Sequence, residues 1–192
     1  MRVALLRHGR TAWNEAGRLQ GRSDVPLTPE ERERLSRLAL PPDWRGADVL
    51  SSPLRRARET ADILADGAVR TEAALVEMDL GAWEGRRGVD LLDDPASGYR
   101  HVEAWGWDMR PPNGGETPRD VLGRAAPVLA GLARDTLIVS HINVMRAILA
   151  DAHGWAFDGP MPFRIKRDRL HVLRSEGGAW MPEGSPVRLV AR

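Results

Sequence analysis

The stretch Val3-Ala4-Leu5-Leu6-Arg7-His8-Gly9, near the start of the chain, decides the fold. Its four apolar residues are followed by polar residues and a glycine, which is the pattern of a short buried strand. In α/β proteins, ligands bind just beyond the carboxyl ends of such strands. His8, with Arg7 before it and Arg10 after it, is therefore placed to meet an anion such as phosphate.

Downstream of this strand, apolar runs alternate with segments that begin as helices do. Thr28 precedes Pro29 and is followed three residues later by Glu31, which predicts a helix with a capping box. The alternation predicts an α/β fold, a three-layer α/β/α sandwich with a mainly parallel sheet covered on both faces. The predicted strands are residues 3–6, 47–51, 69–75, 136–140, 164–174 and 185–190, and the predicted helices are residues 29–38, 53–67, 118–133 and 142–153.

The composition is that of an ordinary globular protein. With 192 residues, 42% hydrophobic and 29% charged, we expect one domain, residues 1–192. The absence of cysteine excludes a disulfide framework, thiolate metal sites and a cysteine nucleophile. A net charge of +1 argues against nucleic acid as a partner. No apolar run approaches the ~20 residues of a membrane helix and nothing resembles a signal peptide, so we expect a cytoplasmic enzyme that binds no membrane.

Residues 86–115 break the regular pattern. The segment contains two prolines in tandem and the aromatic residues Tyr99, Trp105 and Trp107. We interpret it as an excursion over the active face and expect one of the tryptophans, Trp105, to contact the substrate. Trp83 lies before this segment in a more regular motif, and we expect it to pack in the core.

Two histidines each follow directly on a predicted strand. His8 follows the first strand and His141 follows residues 136–140. Parallel strands place their carboxyl ends at the same edge of a sheet, so the two imidazoles are expected to converge. A lone histidine in such a position is more often a simple strand cap, and only the pair, with its neighbouring arginines, favours a functional site.

Three further motifs complete a pattern that begins with residues 6–14. They are Ser51-Ser52-Pro53-Leu54-Arg55-Arg56-Ala57, Leu75-Val76-Glu77-Met78-Asp79-Leu80-Gly81 and Ser140-His141. In this order the motifs resemble those of the histidine phosphatase superfamily, which shares the fold of cofactor-dependent phosphoglycerate mutase. The resemblance extends from Arg7 to Arg146 and implies a phosphoglycerate mutase-like α/β/α fold.

The resemblance also implies roles for particular residues. His8 corresponds to the nucleophile that becomes a phosphohistidine, and Glu77 to the proton donor. Arg7, Arg56 and His141 correspond to the groups that hold the phosphoryl oxygens. Because these cations are built into the protein, no metal and no other cofactor is expected.

Several of these positions have plainer alternatives. Asp79 and Glu84 compete with Glu77, and spacing alone does not choose among the three carboxylates. Asn14 corresponds to a further phosphate contact of the family, although it is equally an ordinary hydrogen-bonding loop residue. Arg55 and Arg58 are expected to lie on the solvated face of their helix.

The chain departs from the family pattern at the edge of the predicted site. Arg10 stands where the family commonly has glutamate, and adds positive charge at the rim. Ile142 follows His141 where the family commonly has glycine, and its side chain is expected to narrow the pocket. Glu116 resembles a family residue near the site, with a helix entry as the alternative.

These observations predict a phosphomonoesterase that acts on a small-molecule phosphate ester. A phosphoglycerate mutase-type transfer is the alternative, and a phosphate-binding module without catalysis is a third interpretation. The second is disfavoured because Leu80 stands where the mutase pattern carries a tyrosine, and the third because a binding module needs no proton donor. Sugar phosphates, phosphoglycolate-like acids, nucleoside monophosphates and α-ribazole phosphate all remain candidate substrates, and the oligomeric state is open, a homodimer included.

Overall fold

The computed structural model of the chain describes residues 1–192 and is built on one central sheet. The strands are β1 (Arg2–Arg7), β2 (Leu38–Ala39), β3 (Asp48–Ser51), β4 (Val69–Thr71), β5 (Thr136–Ser140), β6 (Arg169–Glu176), β7 (Ala179–Pro182), β8 (Val187–Arg188) and β9 (Val190–Ala191). The helices are α1 (Ala12–Glu15), α2 (Pro29–Ser36), α3 (Arg55–Leu64), α4 (Gly88–Leu92), α5 (Pro118–Ala130) and α6 (Ile142–His153).

The sheet is mostly parallel in its central part, as predicted. Its strand order is β4-β3-β5-β1-β6-β7, with β8 also paired to β6. The first four of these strands run parallel, whereas β6, β7 and β8 add antiparallel pairs. Strands β1 and β5 pair from Val3 opposite Thr136 to Arg7 opposite Ser140, so both end at the same level of the sheet.

Side-chain alternation along β1 divides the core into two layers. Val3 and Leu5 pack into a cluster of 25 buried residues that includes the inner faces of α5 and α6. Ala4 and Leu6 point the other way, into a cluster of 15 that includes residues of α2 and α3. Helices therefore cover both faces of the sheet, which confirms the predicted three-layer architecture.

Several boundaries differ from those predicted. Helix α3 ends at Leu64, because Ala65 adopts an extended backbone (φ −73°, ψ 141°), and it does not reach Gly67. The predicted strand 69–75 is a strand only over Val69–Thr71. The Glu72 side chain then accepts a hydrogen bond from the Ala74 N–H (3.0 Å) and starts a short 3₁₀ turn.

The helix starts follow the sequence more closely than the helix ends. Thr28 accepts a hydrogen bond from the Glu31 N–H (3.2 Å), as expected for the helix cap. The reciprocal half of the predicted capping box is wrong, because the Glu31 carboxylate binds Arg34 instead. Helix α2 also ends at Ser36 rather than Leu38, and α5 ends at Ala130 rather than residue 133.

The carboxyl-terminal region shows the largest differences. The predicted strand 164–174 begins only at Arg169, so that residues 164–168 form a loop beside the first strand's carboxyl end. Strand β7 was not predicted, and the predicted strand 185–190 divides into β8 and β9. Strand β9 pairs with β2, a contact between distant parts of the chain that local sequence patterns do not encode.

Residues 86–115 cover one end of the larger core cluster. Trp83 is buried and donates its indole N–H to the Ser97 carbonyl oxygen (2.8 Å), so it packs as predicted. Tyr99 and Trp105 pack against Trp83. Trp107 contacts Phe157 instead. None of the helices has the length and apolar character needed to cross a membrane.

Candidate active site

The structure brings the two strand-end histidines together. His8 follows β1 and donates its backbone N–H to the Ser140 carbonyl oxygen (2.9 Å). His141 follows β5, and the two imidazole centroids lie 5.2 Å apart. Both side chains are buried, His8 with 3% of its surface exposed and His141 with none. The parallel register of β1 and β5 produces this convergence.

The His8 ring has one nitrogen free for chemistry. Its Nδ1 atom lies 2.6 Å from the Gly9 carbonyl oxygen. Because a carbonyl oxygen only accepts, Nδ1 carries the proton and Nε2 keeps its lone pair. Burial, reinforced by the positive charges of Arg7 and Arg56, lowers the pKa of His8 well below its ordinary value. The imidazole is therefore neutral, the form that a nucleophile requires.

Glu77 is a buried carboxyl group in the same cavity. One of its oxygens accepts a hydrogen bond from the Met78 backbone N–H (2.8 Å). The other accepts a longer one from the Asn143 backbone N–H (3.4 Å). Burial raises the pKa of Glu77 even though Arg56 and Arg7 oppose the shift. Desolvation thus favours the protonated form that a general acid needs, despite the surrounding cations.

The structure separates Glu77 from the two competing carboxylates. Asp79 accepts the Gly81 N–H (2.8 Å) and supports a turn. Glu84 accepts the backbone N–H of Ser23 (2.6 Å) and that of Arg22 (3.2 Å). Neither side chain lines the cavity that contains His8 and Glu77.

Arg56 enters the site from the first turn of α3 and is completely buried. Its two terminal nitrogens donate to the carbonyl oxygens of Gly21 and Ser23, each at 2.7 Å. These two bonds hold the guanidinium in place, while its Nε atom has no partner within the protein. Burial lowers the pKa of Arg56, and the nearby carboxyl group of Glu77 partly offsets that effect.

Arg7 and His141 carry further buried nitrogen atoms without partners. Burial, together with repulsion from Arg167 and Arg146, lowers the pKa of Arg7 to about 9. The His141 Nε2 atom lies 2.7 Å from the Ser52 hydroxyl oxygen. The Nε atom of Arg7 and the Nδ1 atom of His141 are buried without hydrogen-bond partners. Buried polar nitrogens destabilise a protein unless a partner meets them, and the unpartnered N–H groups of Arg7 and Arg56 beside His141 indicate an oxyanion site.

The cavity beside these groups has a volume of about 200 Å³. Arg56 and His141 are fully buried next to it and do not contribute to its exposed lining. The lining contains most of the predicted site residues together with several that the sequence did not reveal: Arg7, His8, Asn14, Arg18, Leu19, Gln20, Glu77, Leu80, Tyr99, Trp105, Ile142, Asn143 and Arg146.

Asn14 serves both of the purposes considered for it. Its side-chain oxygen accepts the Thr11 N–H (3.2 Å) and completes a capping box at the start of α1. The same side chain lines the cavity with Arg7 and His8. Trp105 also lines the cavity, while its indole N–H donates to the Arg100 carbonyl oxygen (2.9 Å).

Glu116 and Arg10 lie outside this cavity. The Glu116 carboxylate accepts from Arg124 (2.9 Å), Arg22 (3.1 Å) and the Asp79 N–H (2.9 Å), so it ties together the segments behind the site. A substrate contact by Glu116 is therefore not supported by its position. Arg10 is exposed at the rim, in the cavities next to the catalytic one.

Arg146 and Gln20 are among the polar residues of the cavity that the sequence reasoning missed. Arg146 donates to the Asn143 side-chain oxygen (2.9 Å), and its Nε atom is buried without a partner. It lies four residues after Ile142 on α6, so helical spacing could have placed both on one face. The side-chain oxygen of Gln20 accepts a hydrogen bond from the Thr11 hydroxyl (3.0 Å). No local sequence pattern predicts that Gln20 lines the cavity.

Nowhere in the structure do three or more histidine and acidic side chains form a group that could hold a metal ion. Metal independence of the reaction remains a prediction.

Fold and site together define a class: α/β proteins in which a cavity of histidine, arginine and a carboxyl group lies at the carboxyl edge of a parallel sheet. The model of the histidine phosphatase superfamily (branch 1) matches residues 3–184. The chain belongs to this superfamily, which confirms the family resemblance seen in the motifs.

Relatives with different names resemble this chain to a similar degree. A "Probable phosphoglycerate mutase GpmB" of Enterobacter sp. (strain 638) is 28% identical over 98% of this chain and 92% of its own length. A phosphoglycerate mutase structure from Thermus thermophilus is 30% identical, covers both chains completely and superposes with a TM-score of 0.73. The structure of a "putative alpha-ribazole-5'-P phosphatase" from Escherichia coli K-12 is 27% identical, covers 100% of this chain and 98% of its own, and has a TM-score of 0.79.

Proposed function

We propose that this protein is a phosphomonoesterase that hydrolyses a small phosphorylated metabolite through a phosphohistidine intermediate. One observation carries the proposal: a neutral imidazole with a free Nε2 atom and a carboxyl group with a raised pKa line the same cavity. The first is suited to attack phosphorus, and the second to protonate the group that leaves.

In the first step, the lone pair of His8 Nε2 attacks the phosphorus atom of the ester. A nitrogen–phosphorus bond forms as the bond from phosphorus to the ester oxygen breaks. Glu77 gives its proton to the departing oxygen, which leaves as a neutral alcohol. The hydrogen bond from Nδ1 to the Gly9 carbonyl oxygen stabilises the positive charge that develops on the ring.

In the second step, water releases the phosphoryl group. Glu77, now a carboxylate, takes a proton from a water molecule as the oxygen of that water attacks phosphorus. The bond to His8 breaks, inorganic phosphate forms, and both residues return to their starting states. One carboxyl group thus acts first as acid and then as base, which requires a pKa near the working pH.

The charge of the transferring phosphoryl group is met by donors already in place. Arg7 and Arg56 each present a buried Nε–H group that has no partner within the protein, and the Nδ1 atom of His141 is also buried without a partner. Such fixed donors cost no reorganisation when charge develops in the transition state. Arginine suits this role because its planar guanidinium donates two hydrogen bonds to one phosphate.

Phosphoglycerate mutase-type transfer uses the same groups, and relatives named for both activities resemble this chain. Leu80, at the position where the mutase pattern carries a tyrosine, lines the cavity and supports hydrolysis. The two activities differ in whether water or a second alcohol takes the phosphoryl group from His8.

The test is a screen of phosphate release over a panel of phosphomonoesters, with 3-phosphoglycerate included. We expect inorganic phosphate from at least one ester and an acid-labile phosphoenzyme during turnover. Conversion of 3-phosphoglycerate to 2-phosphoglycerate without phosphate release would establish a mutase. Binding of phosphate with no turnover of any ester would indicate a module without catalysis.

A further inference from the structure

A second group of cations lies beside the catalytic cavity. Two neighbouring cavities, of about 410 and 430 Å³, are both lined by Arg7, which also lines the catalytic cavity. Arg7 therefore forms part of the lining of all three cavities. We call the surface formed by Arg10, Arg18, Arg164, Lys166 and Arg167 the basic trench.

The cations of the basic trench lack carboxylate partners. The side-chain cations of Arg10, Arg164, Lys166 and Arg167 form no ion pair within 4 Å, although the backbone of Arg10 is hydrogen-bonded to the Glu31 carboxylate. Arg18 donates only to the Gly85 carbonyl oxygen (3.1 Å). Most other arginines on the surface form ion pairs, such as Arg34 with Glu31, Arg119 with Asp108 and Arg169 with Asp168.

The acidic groups near the trench offset its charge only in part: Glu31 raises the pKa of Arg167, but burial and the charge of Arg10 outweigh that effect. Asp168 lies at its edge but is held by Arg169 (2.9 Å) and Arg188 (3.5 Å). Glu31 is bound to Arg34 (2.7 Å). Glu15 is the one acidic residue of the trench wall without an ion pair. The local excess of positive charge therefore contrasts with a net charge of only +1 for the whole chain.

Clustered cations destabilise the free protein through mutual repulsion. Arg167 is half-buried, and its Nε atom has no partner. Burial and the nearby charge of Arg10 lower the pKa of Arg167. An anion in the trench would relieve this repulsion and supply the missing acceptors. The phosphoryl group itself does not fill this role, because Arg7, Arg56 and His141 already serve it inside the catalytic cavity.

We propose that the basic trench binds a second phosphate group, carried on the alcohol part of the substrate, so that the preferred substrates are bisphosphates. This inference rests on the proposed phosphatase function, because it assigns the remainder of the substrate bound at the same site. Loop residues 164–168, which lie outside every helix and strand, supply three of the five cations.

The first experiment measures binding without turnover. Calorimetry on the His8→Ala protein at low salt compares phosphate with tripolyphosphate, a flexible anion that can reach from the catalytic cavity into the trench. We expect tripolyphosphate to bind roughly tenfold or more tightly than phosphate, on the scale of electrostatic focusing. Adding Lys166→Gln and Arg167→Gln should remove most of the difference, and raising the salt to about 0.5 M should weaken it.

A matched control removes the same amount of charge elsewhere. Arg134 and Arg174 lie near the amino ends of β5 and β1, away from the carboxyl ends where the site is. Arg134→Gln with Arg174→Gln should therefore leave the preference for tripolyphosphate intact. Equal losses from the control pair and the trench pair would show that overall charge, and not the trench, attracts the anion. That result would overturn the proposal.

The second experiment uses turnover by the intact enzyme. We expect kcat/KM for fructose 1,6-bisphosphate to exceed that for fructose 6-phosphate by roughly tenfold, and Lys166→Gln with Arg164→Gln to abolish the advantage. Turnover of p-nitrophenyl phosphate, which has no second anion, serves as the reference. Active enzyme that shows no preference in either experiment would refute the trench and leave the phosphatase function standing. Trench-dependent binding with no turnover of any ester would refute the phosphatase function instead.

Discussion

Arg56 and Arg58 lie two residues apart on the same helix and have opposite surroundings. Arg56 is completely buried, is held by two backbone carbonyl groups and lacks an ion-pair partner. Arg58 is partly exposed and pairs with Asp62 one turn later (2.9 Å). The same contrast separates the catalytic cavity from most of the outer surface, where arginines pair with carboxylates.

The two environments have different energetic consequences. An exposed ion pair contributes about 0–1 kcal/mol to stability, and salt screens it. A buried cation without a partner destabilises the free protein, and such groups concentrate where a protein binds or transforms a ligand. In a chain whose basic residues are almost all arginine, residue type alone therefore does not identify the functional ones, and the environment does.

The largest difference in activity between a substitution in the catalytic cavity and one on the outer surface is expected for the proposed nucleophile. His8→Ala should lower kcat for p-nitrophenyl phosphate by roughly 10³-fold or more and abolish the acid-labile phosphoenzyme, because the proposed mechanism forms the covalent intermediate on His8. His153→Ala, at the exposed end of α6, should retain activity. More than a trace of activity in pure His8→Ala protein would contradict the assignment.

Substitutions of Arg56 and Arg58 in α3 should differ almost as strongly in their effect on activity. Arg56→Ala removes a fixed donor from the phosphoryl site and should lower kcat by about 10²–10³-fold. Arg58→Ala loses only a surface pair, and its stability should change by about 0.5 kcal/mol or less.

A loss of activity in Arg56→Ala could come from misfolding, so a second variant is needed to separate a folding defect from a catalytic one. Arg56→Lys keeps the charge but not the two-pronged geometry, so it should fold with a near wild-type Tm and remain impaired in kcat. Arg56→Lys with full activity would show that charge, and not the paired donors, is what the site uses.

The roles of Glu77 and Asp79 can be distinguished by comparing esters whose leaving groups differ in basicity. An alkyl phosphate releases a basic alkoxide that needs a proton, whereas p-nitrophenolate barely does. Glu77→Gln should therefore reduce hydrolysis of the alkyl ester by roughly 10²-fold or more and affect p-nitrophenyl phosphate far less. Phosphoenzyme should accumulate with the aryl ester, because the proposed mechanism uses the same carboxylate to activate water.

Asp79→Asn is the matched control, since Asp79 supports only a turn of the backbone. It should show neither the selective defect nor the accumulation of phosphoenzyme. If Asp79→Asn produced the selective defect and Glu77→Gln slowed both esters alike, the two roles would be reversed.

The pH dependence of kcat/KM should reflect the buried environment. His8 has a pKa well below its ordinary value, so protonation of the nucleophile should reduce activity only at pH values well below 6.5. Glu77 has a raised pKa, so activity on an alkyl ester should fall as the pH rises through that value and the acid is lost. Glu77→Gln should remove this basic limb, and a basic limb that persists in Glu77→Gln would contradict the assignment of the acid.

The raised pKa of Glu77 also predicts a stability trend. The folded state binds the Glu77 proton more tightly than the unfolded state does, so this carboxyl group favours folding below its unfolded pKa. That contribution is lost as the pH rises through the raised folded value. Chemical denaturation of wild-type protein and Glu77→Gln across this range should show the substitution reducing the slope of stability against pH.

The smallest expected effect is that of metal removal. The cations of the cavity are side chains, so dialysis against EDTA should leave the rate unchanged. Loss of activity that a divalent cation restores would show that these side chains do not suffice.

Much of the fold followed from local patterns. The apolar run before His8, the strand at residues 136–140 and the helix that follows it were predicted with nearly the observed bounds. Thr28 caps its helix as its sequence indicated. Helix ends and short strands were less predictable, because they depend on partners such as β2 and β9 that are distant in sequence.

The sequence by itself determined the alternation of strands and helices and the positions of His8 and His141 directly after two strands, since these depend on hydrophobic periodicity and residue type. Only the tertiary structure placed those two strands side by side. Only the tertiary structure decided which carboxyl group shares a cavity with His8 and which arginines lack partners. It also brought Arg146 and the basic trench to the site. Those properties arise from burial and from contacts between distant segments, because desolvation and neighbouring charge, not spacing along the chain, set the protonation and pairing of a side chain.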